Sequence, residues 1–373
     1  MRLARKTAPV TEGNRDLGTM KAMRAESFTG YGGLKLVEVP TPRRADGRVL
    51  VRITAAGVSP LDHTIVSGGY PRATAPLILG NEGAGVVEDP GDSPFPVGAR
   101  VMFSGPYGVS EDGTYAEWIA ARAEDLCPIP EVIDDATAGG LPVAYLTAQI
   151  TLTQAAFAPG KTVLAPAIGG AVGNAVTQLA RAQGAAKAIS TTTSPAKAKQ
   201  AQALGFEHVI DLSAESLASG VARITEGRGV DVVIDSVGGA LTGQALAALA
   251  ANGALVSLGY SAGRTTTIDV TDLIWKRASM NGFSLFAQSK AVKASAWATI
   301  LSLLSSRRVK PILERAYKLD EAAEALRHLI EDRPFGRVVL VTPVAATYGF
   351  DQVKEAITRA AQSGGKVLFT PNG

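Results

Sequence analysis

The sequence predicts an α/β protein with two folding units, one β-rich and one built on a doubly wound parallel sheet. Three observations predict it. The chain has 373 residues, more than one hydrophobic core usually serves. Near residue 145 its rhythm changes, from short β-rich runs between Gly/Pro turns to strands alternating with helices. A glycine-rich turn stands where that alternation begins, between a strand and a helix.

Composition narrows the classes of function. The chain is 46% hydrophobic and 19% charged, as a globular protein with a large core is. Net charge is +3, and six Lys/Arg against Glu12 and Asp16 lie in the first 24 residues, so the remainder is close to neutral. No nucleic-acid or membrane field follows from that balance. A lone cysteine, Cys127, excludes a disulfide framework and any zinc site of several thiolates. Its apolar setting, "EDLCPIP", reads as a buried structural thiol. Residues 136–160 carry no formal charge, but Pro142, two Gln and four Thr make the run too polar for hydrocarbon. It suits a segment between two domains.

The elements follow in order. Residues 1–19 are Arg-rich without an apolar signal core and read as a flexible leader. "LKLVEVP", "GRVLVRITAAGV", "GAGVVED" and "GARVMFS" are strands bounded by turn residues. After residue 145, "KTVLAPAI" is a strand, "GNAVTQLARAQGA" a helix and "KAISTTT" a strand. "SPAKAKQAQALG" is a helix with Ser194 as N-cap, Pro195 in its first turn and Gly205 at its end. "EHVIDL", "VDVVIDSVG" and "ALVSLGY" are further strands, with helices near 214–227 and at "LTGQALAALAANG". A long helix starts near Ser289. "YKLDEAAEALRHLIEDRPFGRVVLVTP" (317–343) is then echoed by "YGFDQVKEAITRAAQSGGKVLFTP" (348–371), a duplicated helix-strand unit or a chance likeness of two amphipathic helices.

The turn "VLAPAIGGAVGNAV" places Ile168, Gly170 and Gly173 on a G-x-G-x-x-G pattern, flanked by Gly169, Ala171 and Val172. Small residues let the backbone approach a pyrophosphate, and the helix N-terminus offers free N–H groups. At the end of the next strand an acid would hold the ribose 2′-hydroxyl of NAD. Here stand Thr192, Thr193 and Ser194, with Lys197 a helical turn on, an arrangement that favours the 2′-phosphate of NADPH. Lys197 also reads as a solvated helix residue.

With "AAGVSPLDHTIVSGGYP", "GNEGAGVVE", "GTYAEW", "LPVAYLTAQITL" and "GRGVDVVIDSVGG" in this order, the chain resembles the medium-chain dehydrogenase/reductases, over residues 20–343. Within them it resembles the zinc-free quinone oxidoreductase, or zeta-crystallin-like, branch. The resemblance implies a β-rich GroES-like catalytic domain (20–145 and 286–343) and a Rossmann NADP-binding domain (146–285), with 344–373 an extra unit. Where the superfamily's zinc enzymes carry Cys, His and Cys, the matching residues are Ser59, Asn81 and Pro142, poor ligands or none. Glu82 is retained beside Asn81, and Asp62 matches a retained acid of structural character. His63 has no partner at ligand spacing, and His208 and His328 read as structural.

The resemblance further implies Tyr70 in the substrate pocket, where a phenol donates a hydrogen bond or proton or is simply a half-buried Tyr. It implies cofactor contacts at Thr147 on the nicotinamide side, at Ser236 and Val237, at Gly259 and Tyr260, and at Ser284. The family's Arg and Tyr at two further positions are Val66 and Leu212 here. The expected activity is zinc-independent hydride transfer from NADPH to a quinone or α,β-unsaturated carbonyl, with Ser59, Asn81 and Tyr70 in the pocket, in a cytoplasmic homodimer. An enoyl-thioester reductase and an NADPH-binding sensor or structural protein are the alternatives.

Overall fold

The computed structural model describes residues 18–342 and two short strands, Thr347–Gly349 and Leu368–Thr370. The expected leader lies outside the described residues as far as residue 17, and β1 (Thr19–Ala25) opens the fold. β1 pairs antiparallel with β2 (Leu34–Pro40). The central strand of the β-rich unit is β3 (Arg48–Gly57), where Val49, Val51 and Ile53 face a closed interior with Val87, Val101 and Phe103. Helix α1 (Pro60–Val66) follows, and β4 (Leu77–Ile78) adds to β1. β5 (Glu82–Asp89), β6 (Arg100–Ser104), β7 (Trp118–Arg122) and β8 (Leu126–Pro128) pair antiparallel in one sheet with β3.

Short α2 (Asp135–Gly139) leads into α3 (Pro142–Gln154), the heart of the charge-free run. Pro142 starts it in the first turn, where a missing N–H costs nothing. Its Ala, Leu and Ile side chains join one core with those of the helix and strands that follow, so the apolar run is buried between the two units. Among the described residues no helix is long and apolar enough to cross a membrane.

The second sheet contains β9 (Thr162–Ala165), β10 (Lys187–Thr192), β11 (His208–Asp211), β12 (Val230–Asp235), β13 (Leu249–Ser257) and β14 (Ser279–Gly282). Their order across the sheet is β11-β10-β9-β12-β13-β14, every pair parallel. This is the doubly wound arrangement the sequence predicts, and its strand order reverses between β9 and β12. The crossovers are α4 (Ala171–Ala182), α5 (Pro195–Ala203), α6 (Leu217–Thr225), α7 (Ala240–Ala247) and α8 (Val270–Lys276). Ser194 caps α5 and Gly205 follows it at φ +83°, as expected. One expectation fails. The helix read through "LTGQALAALAANG" stops at Ala247, and Leu249 already pairs with Val230 in β13. The irregularity sits at Asn252, at φ +62°, where the strand absorbs residues that a helix would have used.

The chain then returns through α9 (Lys290–Ser305), β15 (Leu313–Lys318), α10 (Ala322–Arg327) and β16 (Arg337–Val341). β15 and β16 are parallel, and β16 pairs antiparallel with β3 in the first sheet. In the echoed segment β17 (Thr347–Gly349) and β18 (Leu368–Thr370) are also parallel, with Tyr348 opposite Phe369. The helix expected between them lies outside the described residues.

Candidate active site

The residues expected at a cofactor fall at the carboxyl ends of successive parallel strands. Gly169–Gly173 follow β9, Thr192–Lys197 follow β10, Ser236 and Val237 follow β12, Gly259 and Tyr260 follow β13, and Ser284 follows β14. Ligands of doubly wound sheets bind at this edge, where the strand order reverses. A Cβ on Gly173 would lie 2.2 Å from the Pro166 carbonyl oxygen, so only glycine lets α4 pack this closely on the turn. Likewise a Cβ on Gly259 would lie 2.0 Å from the Ser236 carbonyl oxygen, which brings these two strand ends into contact.

Gly170 is the N-cap of α4 and offers no capping side chain, so no cap competes with a ligand for the first N–H groups of the helix. The turn itself is fixed from below. Ile168 N–H donates to the Thr191 carbonyl at 2.8 Å, and Asn174 Nδ2 donates to the Ile168 carbonyl at 3.1 Å. Thr192 is buried, Thr193 exposed, and Tyr260 exposed beneath the Arg264 guanidinium. Thr147 is buried on α3.

A segment that sequence reasoning missed, Arg333–Gly336, straps the two units together. Gly336 N–H donates to the Gly169 carbonyl at 3.0 Å. The Phe335 ring is buried with Ile168, Ala201 and Phe206. Lys197 Nζ donates to the Arg333 carbonyl. Burial, and secondarily the charge of Arg333, push the Lys197 pKa below the usual lysine range. The end of β10 therefore holds two cations, and among the described residues no carboxylate pairs with either.

Two buried carboxylates assemble Ser59, Asn81 and Pro142, the three residues expected at the zinc-ligand positions. Asp62 accepts from the Ser59 amide and hydroxyl, both at 2.8 Å, from Gly80 N–H at 3.0 Å and from Tyr115 OH at 3.1 Å. Ser59 thus stands next to the residue preceding Asn81. Glu82 accepts from Val143 N–H at 2.7 Å and from the Arg337 guanidinium, which ties Asn81 to the start of α3 at Pro142. A Cβ on Gly57 would lie 2.5 Å from Glu82 Oε1, so glycine there makes room for the carboxylate. Burial pushes both carboxyls above the usual range. The hydrogen bonds oppose this at Asp62, and Arg337 opposes it at Glu82.

The donor set does not fit a metal. The Ser59 hydroxyl proton is committed to Asp62, the Pro142 side chain has no donor atom, and among the described residues no three His, Cys, Asp or Glu side chains converge. Asn81 is 3% exposed, its Oδ1 lacks a partner, and its side chain makes no hydrogen bond to the described residues. A buried amide of this kind is ready for a ligand. The structure links Ser59, Asn81 and Pro142 but gives Tyr70 no hydrogen bond to them. Tyr70 is half-buried after α1, packed against the cluster of Ile65, Val66 and Leu79. His63 lies against the Tyr31 ring, with centroids 5.5 Å apart.

A crevice between the units is lined by Gly170, Ala171 and Asn174 on one side and by Gly140, Tyr145 and Arg337 on the other. Tyr145 OH and Arg337 Nε are buried there without hydrogen-bond partners among the described residues. Sequence reading missed both residues, and the one signal for Arg337 was the retained Glu82, an acid that needs a buried cation.

Residues 45–131 match the alcohol dehydrogenase GroES-like domain, and residues 171–306 match the zinc-binding dehydrogenase family. The second match spans none of Ser59, Asn81 and Pro142. The chain is 32% identical over 331 residues to a quinone oxidoreductase of Pseudomonas aeruginosa, covering 84% of this chain and 98% of that one. It is 30% identical to the quinone oxidoreductase of Rattus norvegicus, covering 86% and 98%. It is also 30% identical to a stretch of a Mycobacterium tuberculosis polyketide synthase subunit, 14% of that protein. Among solved structures, a mycobacterial protein complexed with NADPH superposes with a TM-score of 0.77 at 30% identity, over 86% of this chain and 99% of that one.

Proposed function

The chain belongs to the medium-chain dehydrogenase/reductase superfamily, and we propose that within it this protein is a zinc-independent, NADPH-dependent reductase of quinones or α,β-unsaturated carbonyls. The observation that carries this reading is the replacement of a ligand set by Ser59, Asn81 and Pro142, held in place by Asp62 and Glu82. Without a Lewis acid an unactivated alcohol is a poor substrate, whereas a conjugated acceptor is already electrophilic. NADPH supplies the hydride when bound.

The residues fit that cofactor. The N-terminus of α4 and Gly169, Gly170 and Gly173 would hold the pyrophosphate. Thr192, Thr193, Lys197 and Arg333 would hold the 2′-phosphate, which a pair of cations favours over a ribose hydroxyl. Ser236, Val237, Gly259, Tyr260 and Ser284 line the remaining strand ends, and Thr147 borders the nicotinamide side. The Asn81 amide, without a hydrogen bond among the described residues, orients the acceptor's oxygen and stabilises charge developing there. Ser59 acts through Asp62 and does not donate to the acceptor. Tyr70 supplies the proton or a hydrogen bond from the pocket wall.

Two readouts test the reading: deuterium transfer from 4-deuterated NADPH to the β-carbon of enones and enoyl thioesters, read by mass spectrometry, and quinol formation coupled to NADPH oxidation, read by absorbance. Label on the carbon of the reduced enone, or quinol formed as NADPH is oxidised, supports it, and turnover of no acceptor overturns it in favour of a binding protein without turnover. The match to part of a polyketide synthase favours the enoyl thioester as the second reading.

We also propose a homodimer joined at β14. Edge strand β14 is exposed throughout, and Met280 on it and Ile274, Trp275 and Phe286 on the segments flanking it in sequence are exposed large apolar side chains, Trp275 by 76%. Light scattering on the purified chain and on Trp275→Glu tests this. The chain should behave as a dimer and the variant as a monomer, and a monomeric parent overturns the proposal.

A further inference from the structure

His328 opens a single turn of π-helix, His328–Asp332, at the end of α10. Both of its ring nitrogens face carboxylates. Nδ1 lies 2.8 Å from Asp332 Oδ2, and Nε2 lies 2.9 Å from Glu314 Oε2 on β15. A neutral imidazole carries one N–H, so only the imidazolium donates to both. From β15 the Tyr317 ring also faces His328, with centroids 6.0 Å apart, and its hydroxyl accepts from Arg315. At the start of the turn, Arg327, the last residue of α10, pairs with Glu331. Burial disfavours the charged ring, but the bonds to Asp332 and Glu314 outweigh it and hold the pKa above the ordinary imidazole range.

Asp332 is the residue before the strap. Arg333 adopts φ +49°, its carbonyl takes the Lys197 ammonium, Phe335 is buried against the nucleotide-binding unit, and Gly336 holds Gly169. His328 thus fastens one end of the strap, and the Arg337–Glu82 pair fastens the other.

We propose that His328 is a positioning residue for the strap, its imidazolium holding Asp332 so that Arg333 and Gly336 keep the nucleotide turn formed, and that loss of this proton loosens the strap and weakens cofactor binding. The cofactor half of this inference rests on the NADPH reading given above. The sign follows from the raised pKa. The clamp is complete below the ordinary imidazole value near 6.5 and is lost as pH rises through the higher native value.

Two measurements test it. NMR titration of the imidazoles is tractable, because the chain has three histidines. Linkage requires that NADPH raise the His328 midpoint by the same factor by which the proton tightens NADPH, roughly fivefold, or about 0.7 on the pH scale. Hydrogen-exchange protection at Phe335 and Gly336, measured on the cofactor-free protein, should fall across the same midpoint. His328→Gln should remove the pH dependence of that protection, and Asp332→Asn should do the same while leaving the imidazole in place. An unmoved midpoint with NADPH bound, or pH-independent protection at Phe335 and Gly336, overturns the proposal. Failure to bind NADPH at any pH, with protection still following His328, overturns the cofactor reading and supports the role in the strap.

Discussion

Glu82 and Arg337 are 255 residues apart in the chain and form an ion pair whose carboxylate is fully buried. The pair joins β5 to β16, and through Val143 N–H it also holds the first turn of α3. Breaking a buried pair leaves an uncompensated charge, which costs about 3–5 kcal/mol. Glu82→Gln should lower the stability by that amount in urea unfolding. The double variant Glu82→Met/Arg337→Met should recover part of the loss, since it leaves no charge alone.

The close approach at Gly173 predicts a difference between two glycines of the same turn. Gly173→Ala places a methyl 2.2 Å from the Pro166 carbonyl oxygen and should cost about 2 kcal/mol or more. It should also weaken NADPH binding, because α4 must move. Gly170→Ala meets nothing closer than 3.3 Å, at φ −82°, and should cost under about 1 kcal/mol. Thermal unfolding of the two variants checks the order.

Lys197 and Arg333 should discriminate between cofactors. A charge-assisted bond to phosphate contributes about 1.5–3 kcal/mol, so Lys197→Ala or Arg333→Ala should weaken NADPH by roughly tenfold or more. NADH, without the 2′-phosphate, should change little. Fluorescence titration with both nucleotides reads the ratio.

Cys127 should be silent in the folded protein. Its side chain is 3% exposed and burial pushes its thiol up to about 12, so the reactive thiolate is absent at pH 8. A thiol reagent should label it only in denaturant. Rapid stoichiometric labelling of the native protein would contradict the packing described.

The parts of the site that were legible in the sequence are those that short stretches encode. The turn from Gly169 to Gly173 declares itself because strand, glycines and helix are contiguous. The missing acid after β10 is read at Thr192–Ser194 for the same reason, and Ser59, Asn81 and Pro142 are recognised against a motif. Long-range partners were hidden. Nothing near Lys197 in the sequence indicates Arg333, and Glu82 calls for a buried cation without saying that it is Arg337, because sheet pairing of β16 with β3 brings the guanidinium there. Leu249–Asn252 was misread as helix for a related reason. Its apolar spacing suits either state, and pairing with β12 decides.

The most direct test of the central claim is steady-state oxidation of NADPH by a quinone and an enone, before and after exhaustive chelation. Zinc-independent hydride transfer predicts an unchanged kcat after chelation, no gain on adding zinc, and a higher kcat/KM with NADPH than with NADH. Activity that disappears with the metal and returns with added zinc would contradict it.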